Sequence, residues 1–149
     1  MTTTYAGDPV AGLPVDASGL ARRGLVPLAV AVVYLLAYAL TIVVPYVVDD
    51  LHTLPLAEVA SGAHDPKDLW PASTAWGGVV QLGAMLVLTT GPPAVLAAGG
   101  WAAAALVARR RVLDRRGRVV LASALAVALA FLVLFFSPLG IALTTWMVD

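Results

Sequence analysis

The chain has 149 residues, 60% of them hydrophobic and 12% charged, and its mean hydropathy is +0.90. A soluble domain of this size needs more charge to cover its surface, so the composition excludes one, and nine basic against nine acidic residues leave no net charge to attract nucleic acid. There is no cysteine, which excludes disulfides, thiolate catalysis, iron–sulfur clusters and cysteine-ligated zinc.

Residues 1–23 are rich in Thr, Ala, Gly, Pro and Asp without periodicity and read as a flexible cytoplasmic tail closed by Arg22 and Arg23. Gly24–Val48 follows, 25 residues without one charge. At about 1.5 Å per residue it crosses a hydrocarbon core about 30 Å thick. Its fourteen Leu, Ile and Val residues each favour insertion by roughly 0.3 to 0.6 kcal/mol near the centre of a helix. Arg22-Arg23 ahead of Ala37-Tyr38-Ala39 also suits a cleaved signal peptide, but the apolar run continues from Leu40 to Val48 and is too long for one.

Residues 49–75 carry Asp49, Asp50, Glu58, Asp65 and Asp68 against Lys67 alone. Burying those acids in hydrocarbon would cost roughly 2.5 to 3.5 kcal/mol each, so the segment is a water-exposed, extracytoplasmic loop. Two short helical turns are expected in it, one starting at Thr53-Leu54-Pro55 and ending at Gly62, one capped by Asp65-Pro66. Residues 76–108 are uncharged but too long for one span and too short for two. Thr90-Gly91-Pro92-Pro93 predicts a helix start there, since consecutive prolines disrupt a helix interior. The second span is therefore expected at 92–108, with 76–88 as a helical outer extension, kinked at Gly91-Pro92-Pro93, in which Gln81 is an interfacial amide.

Residues 109–118 hold Arg109, Arg110, Arg111, Arg115, Arg116 and Arg118, six of the nine basic residues, with Asp114 as the only acid. Residues 119–149 then make the third span, interrupted at Ser137-Pro138 and continued as a second outer extension. Arginines on one side and acids on the other predict an N-terminus in the cytoplasm and a C-terminus outside the plasma membrane. Trp76 and Trp146 fall at the outer interface, where amphipathic rings are favoured. The expected fold is all-α and integral to the membrane, with three transmembrane helices, the second and third an antiparallel hairpin with proline-broken outer extensions.

No Asp, Glu, Lys, Arg or His lies inside the spans, which disfavours a proton-coupled transporter. Tyr34, Tyr38, Thr41 and Pro45 share one face of the first span. Such a face packs helices together, or walls a site for a quinone or lipid, with His52 at its outer end. Ala94, Ala98 and Ala102 on the second span and Ala122, Ala126 and Ala130 on the third recur every four positions, as do Gly100, Ala104 and Ala108. These ridges allow close helix packing, within the chain or against a partner. His52 and His64 lie near acids, but at spacings that match no metal site, so no metal and no cofactor is expected. The arginines set topology and can also hold anionic lipid headgroups. With no catalytic constellation legible, the expected role is an accessory or structural subunit of a larger bacterial membrane complex, its partners the bilayer and other subunits. A quinone- or lipid-binding protein and a self-assembling pore or lysis protein are the alternatives. The bias toward Ala, Val, Leu and Arg points to a GC-rich bacterial genome.

Overall fold

In hydrocarbon a helix satisfies its backbone groups within one segment, so long uncharged stretches take that form. The computed structural model describes residues 17–61 and 63–148. All regular structure among them is helical, and three helices, Gly24–Val48, Gly77–Ala108 and Arg115–Phe135, are long and apolar enough to cross a membrane.

The first begins as α1 (Ala17–Tyr38), widens into a π-helical turn (Ala39–Val43) and resumes as α2 (Val44–Val48). Pro45 explains the widening: its ring crowds the carbonyl of Thr41 and supplies no N–H. The Val44 N–H instead reaches the carbonyl of Ala39, five residues back. Asp50 ends the helix in the left-handed region at φ 56°, its N–H donating to the Val47 carbonyl at 3.2 Å.

A 3-10 turn (Leu51–Thr53) and the short α3 (Leu56–Val59) follow. α3 starts directly after Pro55, while Gly62, the expected end, lies outside the described residues. At Asp65 the chain makes a hydrogen-bonded turn and not a helix: Lys67 N–H donates to Asp65 Oδ1 at 2.9 Å and Asp68 N–H to the Asp65 carbonyl at 3.1 Å.

α4 (Gly77–Ala108) runs for 32 residues straight through Pro92 and Pro93. The expected helix start at Thr90 is absent: the Thr90 hydroxyl donates back to the Leu86 carbonyl at 2.6 Å, and Thr89 to Met85 at 2.8 Å. Val87, Gly91 and Val95 are buried in succession on one face, so packing on both sides of the proline pair holds the helix together. At about 48 Å, α4 exceeds a hydrocarbon core of about 30 Å and must tilt or project beyond it.

α5 (Arg115–Phe135) is capped by Asp114, whose Oδ1 accepts the Gly117 N–H at 2.8 Å. After Phe136, Ser137 opens α6 (Pro138–Val148): its hydroxyl accepts the Gly140 N–H at 3.0 Å and donates to the Leu134 carbonyl at 2.7 Å. A Cβ on residue 140 would overlap the carbonyl oxygens of Leu134 and Phe135, so this corner requires glycine.

α1, α4 and α5 each pack against the other two. A Cβ on Gly99 would meet Ala128 Cβ at 3.0 Å, and one on Gly91 would meet Phe131 at 3.1 Å and Tyr34 at 3.4 Å. Glycine therefore brings the helix backbones close, which is what holds helices together where lipid is as apolar as the protein. Ala31, Tyr38, Ile42, Val95, Ala128 and Phe131 form the centre of the core.

At the end of the bundle opposite the arginines, α6 lies against α3, α5 and the π-helical turn. Trp146 is 1% exposed there, and its indole N–H donates to the His64 carbonyl at 2.8 Å. It is thus an inward-facing anchor for the acidic loop, whereas Trp76, the other tryptophan expected at the outer interface, is 72% exposed. Asp49 Oδ1 adds a second tie by accepting the Trp70 N–H at 3.3 Å.

Candidate functional site

The Tyr34, Tyr38, Thr41 and Pro45 face points into the bundle. Tyr34 reaches α4, with 3.0 Å between its hydroxyl and Thr90 Oγ1. Since the Thr90 proton is directed at Leu86, Tyr34 is the donor. Tyr38 is fully buried, edge-on to Phe131 with centroids 5.9 Å apart and 5.8 Å from Phe135. Its hydroxyl has no hydrogen-bond partner. Thr41 donates to the Ala37 carbonyl of its own helix at 2.8 Å.

The two tyrosines thus serve contacts among α1, α4 and α5. His52 stands apart from them, exposed, with its ring edge-on to Tyr46 at 6.5 Å. Where the face ends at Thr41 and Pro45, Trp70, Gln81 and Trp146 close a cavity of about 20 Å³, room for about one water.

Removing each tyrosine hydroxyl separates the two roles. Tyr38→Phe takes away a buried, unpartnered hydroxyl and is expected to stabilise the fold by about 1 kcal/mol. Tyr34→Phe breaks an interhelical hydrogen bond and is expected to destabilise it by about 0.6 kcal/mol. Unfolding in mixed micelles by denaturing detergent measures both, and a loss of stability in Tyr38→Phe would mean that its hydroxyl has a partner.

Of the alanine ridges, Ala102 is buried, Ala94 and Ala98 are half-buried, and Ala122, Ala126 and Ala130 are exposed. Internal packing uses Ala102 of these, together with Gly91, Gly99, Ala124 and Ala128. Those residues also recur at intervals of four or eight, but in an alanine-rich chain such spacing marks every face, and partner contacts alone distinguish them.

Arg109, Arg110, Arg111, Arg115, Arg116 and Arg118 are all exposed. Among the described residues none has a carboxylate within ion-pair distance, the pairs present being His64 Nε2 with Glu58 Oε1 at 3.5 Å and Lys67 Nζ with Asp65 Oδ2 at 3.9 Å. Asp114, the one acid of this turn, is engaged in capping α5. Nor do three His, Asp or Glu side chains converge anywhere among the described residues. Comparison with family models, with curated proteins and with solved structures finds no match for this chain.

Proposed function

We propose that the chain is an accessory subunit of a larger membrane protein complex, docking through the outward face of α5. The observation that carries this reading is the exposure of Ala122, Ala126 and Ala130 on a helix whose opposite face, through Ala124, Ala128 and Phe131, is already packed. The alanines of this stripe, flanked by the exposed Val119, Leu129 and Val133, offer close backbone approach to a further helix, the main source of association in lipid. In this reading the chain lies in a bacterial plasma membrane, α4 and α5 form a hairpin, and Ser137-Pro138 turns the chain at the outer surface. The arginine turn sits in the cytoplasm with residues 1–23, because basic residues are retained on that side. Residues 49–75 and the C-terminus then lie outside.

The quinone or lipid site along Tyr34, Tyr38 and Thr41 draws less support, because two of the three hydroxyls are engaged within the bundle and the third is enclosed. A self-assembling pore draws little, because the spans carry no charged lining.

The test is isolation of the tagged chain from its native membranes in lipid nanodiscs, followed by protein mass spectrometry. A stoichiometric partner is expected, and Ala126→Leu is expected to release it while leaving the helical content unchanged. Recovery of a lone monomer would refute the subunit reading.

A further inference from the structure

Toward the arginine end, the outer edges of α1 and α4 leave a trough between them. An apolar groove of about 420 Å³ runs between them, walled by Pro27, Ala94, Ala98 and Trp101. Its cause is local, since alanines on α4 and a compact proline ring on α1 leave space that larger side chains would fill. Trp101, 43% exposed, also borders a second hollow of about 210 Å³ that ends at Arg109. From Ala94 to Arg109 the helix rises about 22 Å, more than the depth of one leaflet, about 15 Å.

We infer that this groove binds one phospholipid with an anionic headgroup, an acyl chain lying between α1 and α4 against Trp101 and the phosphate held by Arg109. Three observations meet here. The trough is apolar and open sideways along the membrane-spanning part of the helices, so its natural occupant is a hydrocarbon chain. Its far end is cationic, with Arg109, Arg110 and Arg111 exposed together. No carboxylate of the described residues neutralises those guanidinium groups, and the only acid in the turn already holds the Gly117 N–H. A guanidinium fork donates two parallel hydrogen bonds to a phosphate. A free anion would make no use of the groove, and a zwitterionic lipid would present a cation as well as a phosphate to the arginines. The site lies on the α1 and α4 side and is separate from the α5 face proposed for partner docking.

The experiment uses the full chain in phosphatidylcholine nanodiscs carrying a small fraction of phosphatidylglycerol or phosphatidylcholine brominated along its acyl chains. Quenching of Trp101 is read as the difference between wild type and Trp101→Phe. Brominated phosphatidylglycerol is expected to quench at a mole fraction about fivefold lower than brominated phosphatidylcholine, and Arg109→Gln to remove most of that preference. Arg118→Gln, which removes the same charge elsewhere on the turn, is expected to leave it within about twofold. Ala98→Leu fills the groove and is expected to abolish Trp101 quenching by both lipids; the two arginine variants decide the matter if that protein does not fold. Equal quenching by the two lipids, or equal loss in Arg109→Gln and Arg118→Gln, would overturn the site in favour of diffuse attraction. Displacement of the brominated lipid by inorganic phosphate would overturn the phospholipid as its ligand.

Discussion

Trp146→Ala is expected to destabilise the protein by about 4 kcal/mol and to free the acidic loop from the bundle. Trp146 is the largest of the fully buried side chains, packed at the junction of α6 with the loop, and its indole N–H is the link to the His64 carbonyl. Truncation leaves a cavity that the backbone cannot readily collapse, because α6 is held at its start by the Ser137 and Gly140 corner. It also leaves the His64 carbonyl unpaired. Trp146→Phe keeps most of the apolar contact and loses the hydrogen bond, with an expected cost nearer 1 kcal/mol from the bond itself. Detergent-induced unfolding gives the energies, and protease digestion in nanodiscs reports the loop. A change below 1 kcal/mol in Trp146→Ala, with the loop still protected, would show that the loop is held by other means.

The second large effect comes from two adjacent glycines with opposite surroundings. Gly99 faces α5, where a Cβ would already meet Ala128 Cβ at 3.0 Å, while a Cβ on Gly100 would have nothing within 4 Å. Gly99→Leu is therefore expected to drive α4 and α5 apart and to cost about 3 kcal/mol. Gly100→Leu is expected to change stability by less than about 0.5 kcal/mol, its side chain entering lipid. Because both variants add the same side chain to the same helix, propensity and insertion energy cancel in the comparison. Equal stabilities would mean that the α4 and α5 contact does not hold this bundle together.

Much of the architecture is written in local sequence. The three apolar runs, the acidic segment between the first two, and the six-arginine turn need no tertiary information, because each is legible from what a side chain costs in hydrocarbon. The Ser137-Pro138 interruption is equally local, since Ser137 and Pro138 are a cap and a first-turn residue. Thr90-Gly91-Pro92-Pro93 carries a similar signal, yet α4 continues through it. The difference is tertiary: Phe131 and Tyr34 approach Gly91, and Val87 and Val95 are buried on either side.

The sequence by itself determined that this is a membrane protein with three candidate spans, where its charges gather and which residues form the Tyr34, Tyr38 and Thr41 face. Only the tertiary structure decided that Gly91, Gly99, Ala124 and Ala128 face inward, that Ala122, Ala126 and Ala130 face outward, and that Trp146 is an internal anchor. The reason lies in the solvent. In water, apolar residues mark the inside of a helix, but lipid is as apolar as the protein core, so hydrophobic periodicity no longer tells one face from another. Side-chain shape and the register of neighbouring helices then make the choice, and neither is a property of any single segment.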